Sequence, residues 1–481
     1  MEKLLVVGID GISYTRLKKL IKNGKLPNIK NFFSDKTYQP LKSTILPTTP
    51  VAWTTSYTGK NPGKTGLYGF LKKTSDYAWE IVNSSYNKEL TIWEILSMNN
   101  IKSIVIGMPI SKCFHDKNII FLPGKFSKNK MINVPPEIKK IYKLCPSNIW
   151  DYKEYKYYID LRFSVAEYLL KNFENWNAFF LGFEHLEIAH HNLFDKAPQI
   201  IDKVYEFFDK RLGIFLSQID SNIDFIFYSD HGHKLYKKSF NITSFLYKEK
   251  LLKINKKRKI LYNGFLKKIK TIFKPLIPIS FYSSIKYLKK NNMKSSDKLI
   301  ETLYDQKNSK VYPYNNTSGN FIGIYINDIS IKDKLIEKLK TLRYMNKKVI
   351  KQIYKKEDLY NGTYKDEIFD LILEADENFF IDPNIHNTFY KVISNTNISQ
   401  HELLGFVAYN LPNQIKIESI KDIFSAILYK FNINFPDDID KDCYICSKFK
   451  NISYHTYSNK EIATSKENDN IYKSLKQLGY I

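Results

Sequence analysis

The 481-residue sequence holds only 4 Cys (Cys113, Cys145, Cys443 and Cys446). A disulfide scaffold is excluded, and a reducing compartment is expected. No apolar run approaches the roughly 18 residues that a spanning helix needs. The opening MEKLLVVGIDG carries an apolar stretch of about five residues, short of the roughly 7–15 of a signal-peptide core. It reads as a strand and a turn, and a soluble, cytoplasmic protein is expected. Acidic residues are the other deficit: 49 Asp and Glu stand against 74 Lys and Arg, a formal net charge of +25. Such a field favours anions, whether phosphorylated substrates, nucleic acid or an acidic membrane surface. The charge is spread along the chain rather than massed in a tail, so a diffuse bias toward Lys, Ile, Asn and Tyr accounts for most of it. Apolar residues make up 43% and aromatics 15%, which excludes a disordered chain. The length fits two or three domains, or one large core with an insertion.

Strand-like and helical stretches alternate in the first half. Residues 3–9 (KLLVVGI) read as a buried strand ending at Asp10-Gly11. Residues 91–100 read as a helix, 101–109 as a strand, 159–174 as a helix, 177–183 as a strand, 196–218 as a helix and 223–230 as a strand. This alternation predicts an α/β fold: a mostly parallel sheet with helices on both faces. Ligands then bind outside the carboxyl ends of the strands, where Asp10 and Asp230 fall. From 234 to 396 Lys-rich stretches alternate with short apolar patches, which predicts an inserted cap domain. The core texture of 1–233 resumes over 397–450, with a helix over 420–431, and 451–481 is a polar tail.

Metal chemistry on phosphate needs carboxylates and imidazoles. FEHLEIAHH (183–191) and YSDHGH (228–233) each follow a strand and supply both. Glu187 and His191 are four apart, so on a helix they face one way. Asp230 and His231 end a strand before a Gly, where both can project into one crevice. In STILPTTPVAWTTSYTGKNPGKTGLYGF (43–70), Pro50 follows Thr49, so a helix can begin there. A hydroxyl at that end meets free N–H groups that bind anions. The plain alternative is an N-cap Thr followed by a Gly/Pro loop.

VVGIDG, PTTPVAW…TGKNPGKTG, a carboxylate-x-x-x-His, SDHG and a late His-x-x-x-Gly occur in that order. Together they resemble the type I phosphodiesterase/nucleotide pyrophosphatase family of the alkaline phosphatase superfamily. The likeness covers about 1–235 and 365–445, with shorter matches at LYNGTYKDEIFDLILEA (359–375) and PDDID (436–440). It implies an alkaline-phosphatase-like three-layer sandwich and two divalent cations, usually zinc, with manganese or magnesium as alternatives. It implies Asp10, Asp230 and His231 as ligands of one cation, with Thr49 as the nucleophile bound to it. Glu187, His191 and His401 are implied as ligands of the other. The implied reaction is in-line attack on phosphorus, a phospho-threonine intermediate and its hydrolysis by water from the opposite side. Two divalent ions bring four positive charges and Asp10, Glu187 and Asp230 three negative ones, so one positive charge remains to face a phosphate anion.

Three positions depart from the family. Glu187 stands where Asp is usual, Thr65 where His is common, and Ala52 where the eukaryotic nucleotide pyrophosphatases carry Asn. The last weakens a nucleotide pyrophosphatase assignment and leaves oxyanion stabilisation to the backbone N–H near Thr49 and to the cations. His185 and His190 read as neighbours of the ligands or as surface residues, and His233 as lining the site mouth or as a loop residue. His115, His386 and His455 read as surface or loop residues, and Cys443-x-x-Cys446 has no partner pair for a zinc knuckle. The expected partner is a small anionic phosphoester; no nucleic-acid module is visible, and the oligomeric state is open. A sulfatase is disfavoured, because the Cys/Ser-x-Pro-x-Arg segment is missing. The leading expectation is a phosphodiesterase. The alternatives are a phosphatase or phosphomutase of the same superfamily, or a basic binding protein on a degenerate enzyme fold.

Overall fold

The computed structural model describes residues 2–33, 37–74, 77, 79–194, 196–254, 304–384 and 391–440, with 451–452, 474 and 477. His386, His455, Cys443 and Cys446 lie outside the described residues, as do 255–303 of the expected cap.

A seven-stranded sheet organises the core. Its order is Thr37–Lys42, Leu404–Tyr409, Asp224–Tyr228, Leu4–Ile9, Ala178–Phe183, Ser103–Ile106, Ile119–Leu122. The last five run parallel. Leu404–Tyr409 is antiparallel to both of its neighbours. The sequence LLVVGI is buried at all six positions, as is AFFLGF, which is what a strand covered on both faces requires. Alternate residues serve opposite faces. Leu5, Val7 and Ile9 join helices Tyr14–Lys22, Pro27–Phe33, Tyr152–Asn172 and Pro198–Leu216. Leu4 and Val6 join helices Thr49–Thr58, Ile92–Met98 and Asp422–Lys430. The period of two thus builds three layers from one apolar run.

Local signals set two of the helix starts. The helix predicted over 159–174 begins at Tyr152, because Asp151 accepts from Lys153 N and caps it. Its first turns, YKEYKYY, carry no continuous apolar stripe to read. The helix at Ile92 opens on a capping box formed by Thr91 and Glu94, with Thr91 N donating to Glu94 Oε2 at 2.8 Å.

Beyond Asp230-His231 the chain enters a three-stranded sheet, Phe379–Asp382, Gly232–Asn241 and Ile393–Glu402. Between those last two strands in sequence lies a second sheet, antiparallel, in the order Val311–Ser318, Phe321–Ile326, Leu371–Ala375, Ile350–Lys355. Its apolar core, to which helix Lys332–Thr341 contributes Leu335 and Leu339, is shared with Leu46, Tyr68, Leu71 and Trp79 from before residue 80.

A buried ion pair braces the wall behind the strand ends. Arg162 is 1% exposed and pairs with Glu184 at 3.1 Å, while its second nitrogen donates to Gly182 O. Cys145 N also donates to Glu184 Oε1 at 3.2 Å. Replacing Arg162 by Met is expected to cost roughly 3–5 kcal/mol, because it leaves a buried carboxylate without its countercharge. Denaturant unfolding reads this directly; a loss under about 1 kcal/mol would mean that the pair does not brace the wall.

Candidate metal centre

The carboxylate and imidazole candidates before residue 232 follow parallel strands of the sheet at their carboxyl ends. Asp10 follows Leu4–Ile9, helix His185–Leu193 follows Ala178–Phe183, and Asp230-His231 follow Asp224–Tyr228. The first and third loops are tied together. Gly11 N donates to Asp230 Oδ1 at 3.2 Å and Ile12 N to Ser229 Oγ at 2.8 Å. Gly11 has a φ of +67°, and a Cβ there would lie 1.7 Å from Glu187 Oε2. Only a glycine allows both the turn and that approach.

Asp10, Asp230 and His231 meet in the interior, at 4%, 0% and 0% exposure. His231 Nε2 lies 3.3 Å from Asp230 Oδ2 and 3.6 Å from Asp10 Oδ1. Its Nδ1 faces Gly232 O at 3.0 Å, which can only accept, so Nδ1 carries the proton and Nε2 presents a lone pair. Asp10 Oδ1, Asp230 Oδ2 and His231 Nε2 are buried and have no hydrogen-bond partner. Three buried ligand atoms thus converge with no donor from elsewhere in the protein aimed at them, an arrangement that a cation among them would satisfy. The electrostatics agree. Burial, then the Asp230 and Glu187 charges, push the Asp10 carboxyl well above its usual range. Burial and Glu187 push Asp230 well up too. Burial, then His401, pushes His231 well down, so the ring is neutral as a ligand must be.

The second cluster centres on one oxygen. Glu187 Oε1 lies 2.7 Å from His191 Nε2 and 2.8 Å from His401 Nε2, and those two nitrogens are 3.4 Å apart. Glu187 and His191 share a face of helix His185–Leu193, as their spacing predicts. His401 Nδ1 donates to Pro47 O at 2.9 Å, which leaves Nε2 as a lone pair toward Glu187. Burial opposes ionisation of Glu187, yet His233, His191 and His401 outweigh it and hold its carboxyl well below the usual range. The clusters adjoin, with the His231 and His401 rings stacked 3.8 Å apart. One ligand atom each from Asp10, Glu187 and His231 lies within 4.8 Å of the others, as does one each from Glu187, His191, His233 and His401. Two nitrogen-and-oxygen donor sets therefore lie side by side and fit a pair of divalent ions.

Thr49 is 2% exposed and opens helix Thr49–Thr58, with Thr48 as the N-cap residue and Pro50 next. Pro50 has no N–H, and Val51 N already donates to Thr48 O, so Thr49 N–H is among the donors that a helix start leaves over. Pro47, two residues earlier, accepts from His401 and so ties this loop to the second cluster. Ala52 is fully buried one turn on, where it offers no polar group.

The remaining histidines divide by burial. His185 and His190 are 1% and 0% exposed, so neither is a surface residue; His190 Nε2 meets Tyr205 OH at 3.2 Å. His233 lies neither at a mouth nor in a loop. It is in strand Gly232–Asn241, 1% exposed, with Nδ1 3.0 Å from Glu187 Oε2. His115 is exposed, as expected. Lys125 went unnoticed in the sequence. It is 7% exposed, with its ammonium on Ser147 Oγ, beyond the end of strand Ile119–Leu122. Burial pushes its pKa down, and Cys145, Glu184, Asp10 and Glu187 pull it back. The only visible signal was a Pro-Gly-Lys after an apolar strand.

The sequence matches the family profile described as type I phosphodiesterase / nucleotide pyrophosphatase over residues 4–406. The fold is similar to that of phosphonoacetate hydrolase from Sinorhizobium meliloti in complex with phosphonoformate, at 14% identity, 89% of this chain, 96% of that chain and a TM-score of 0.59. It is also similar to an inactive form of murine ectonucleotide pyrophosphatase/phosphodiesterase 5 in complex with AMP, at 13% identity, 94% of this chain, 100% of that chain and a TM-score of 0.54. No curated protein matches the sequence. At such identities the likeness speaks for the fold, an alkaline-phosphatase-like α/β sandwich with extra small sheets. Among the described residues no helix is long and apolar enough to cross a membrane. With motifs, sheet and profile in agreement over most of its length, the chain belongs to the type I phosphodiesterase/nucleotide pyrophosphatase family of the alkaline phosphatase superfamily.

Proposed function

We propose that the protein is a phosphodiesterase that attacks phosphorus with Thr49. In this reading Asp10, Asp230, His231 and Thr49 hold one divalent cation, and Glu187, His191 and His401 hold a second. The observation that carries it is the convergence of the buried atoms Asp10 Oδ1, Asp230 Oδ2 and His231 Nε2 with no donor of the protein aimed at any of them. The imidazole-rich donor sets favour zinc over manganese or magnesium. When bound, such ions lower the pKa of a coordinated hydroxyl and offset charge on attacking and leaving oxygens.

The chain's own residues do the rest. Thr49 Oγ1 gives up its proton and forms a bond to phosphorus, the bond to the leaving alcohol breaks, and that alcohol oxygen takes up one proton in place of the one Thr49 lost. Water then attacks phosphorus from the opposite side and releases Thr49 and a phosphomonoester. The Thr49 N–H supports the phosphoryl oxygens that Ala52 cannot reach. Residues 234–396 act as the inserted unit that shapes substrate choice, and a cytoplasmic setting suits Cys113 and Cys145, both free and buried.

Lys125 favours a second reading. Arg162 and Glu184 cancel, and Lys125 adds a positive charge to the one left by the cations and three carboxylates. A site with that surplus also suits a monoester dianion, the substrate of a phosphatase or mutase. Rates on bis-(p-nitrophenyl) phosphate and p-nitrophenyl phosphate separate the readings. Faster release from the diester supports the first and faster release from the monoester the second. No release from cation-loaded protein would leave a binding protein.

A further inference from the structure

We propose that His233 is a positioning residue for the second cation site: its Nδ1–H holds Glu187 Oε2, so that the long glutamate stem presents Oε1 toward His191 and His401. The inference rests on the two-cation reading above.

His233 sits opposite His401 in the antiparallel pair of strands Gly232–Asn241 and Ile393–Glu402. Its Nδ1 is 3.0 Å from Glu187 Oε2. The oxygen shared by His191 and His401 is the other one, Oε1. His233 therefore engages the carboxylate from the side that the other two imidazoles leave open. A carboxylate only accepts when ionised, so the contact needs the proton on Nδ1. Nε2 then carries a lone pair on the far side of the ring, and it is buried without a partner. Glu187 has one more rotatable bond than the shorter Asp usual in the family. Two neighbours confine its outer oxygen: the bare backbone of Gly11 on one side and His233 on the other. The His233 ring is itself held edge-on by His190 at 4.9 Å and stacked by Phe194 at 6.2 Å. A hydrogen bond that orients a ligand carboxylate in this way tunes metal affinity without touching the ion.

His233→Asn and His233→Gln test this, because Asn places an amide N–H where Nδ1 stands and Gln places it where Nε2 stands. Zinc affinity is read by competition with a chelating indicator. We expect Asn to keep the zinc constant of the Glu187 site within about threefold, and Gln to weaken it about 10- to 100-fold. Equal affinities for the two variants would overturn the proposal. An equal loss in both would point to direct ligation by the ring or to packing alone. In the unaltered protein, ring carbon and nitrogen NMR shifts should report His233 as the Nδ1–H tautomer; the Nε2–H tautomer would also overturn it. If the unaltered protein binds fewer than two zinc ions, the two-cation reading fails instead, and the measurements stay distinguishable.

Discussion

Thr49→Ala is expected to lower turnover by about 10^4-fold or more while leaving cation content near that of the unaltered protein. In the proposed site Thr49 would be one of several groups around the first cation, whereas Asp10, Asp230 and His231 supply three buried ligand atoms without it. Removing the hydroxyl deletes the attacking atom and spares most of the binding. The backbone should hold as well. Helix Thr49–Thr58 is buried at all ten positions, and its packing on the sheet rests on Trp53 and Tyr57. Cation analysis beside initial rates on the diester checks both halves. Turnover within about tenfold of the unaltered protein would place the nucleophile elsewhere.

Loss of His231 should act in the opposite pattern, removing cation and activity together. His231→Ala deletes the neutral acceptor of the first cluster and leaves Asp10 and Asp230 facing each other in a buried site. Burial pushes both carboxyls upward, joined at Asp10 by the Asp230 and Glu187 charges and at Asp230 by Glu187, so without a cation they hold on to protons. The ring also stacks on His401 and touches the second set. We expect the first cation's affinity to drop about 100-fold or more, beyond the usual effect of an outer contact, and the rate to follow occupancy. High zinc concentration should then recover part of the rate. Full occupancy with a lost rate would mean that His231 serves chemistry rather than binding.

These two outcomes test different kinds of legibility. The strand-end placement of Asp10 and Asp230 was readable because fully buried parallel strands leave an unbroken apolar signature, and a carboxylate at its end stands out. Glu187 and His191 were readable from helical spacing alone. His401 was not. It comes more than two hundred residues later in sequence, and only the family pattern singled it out.

The misses share a cause, which is burial that leaves no periodic trace. Helix Thr49–Thr58 is surrounded on every side and fills its turns with hydroxyls bonded back to its own carbonyls. Thr58 Oγ1 donates to Thr54 O and Ser56 Oγ to Trp53 O, both at 2.7 Å. No apolar stripe marks it, so only its start could be placed. His233 is two residues beyond His231 at the start of a strand, and its place became visible only once the register put it opposite His401. Arg162 lies within a long amphipathic helix, and its pairing with Glu184 follows from tertiary packing.

The central claim is that acidic and imidazole side chains from distant parts of the chain hold two divalent cations on which turnover depends. The direct measurement is elemental analysis of the purified protein by mass spectrometry, paired with diester hydrolysis before chelation, after it, and after zinc is restored. The account predicts two equivalents per chain, loss of activity with the metal and recovery on its return. Hydrolysis that persists after complete removal of metal would contradict it.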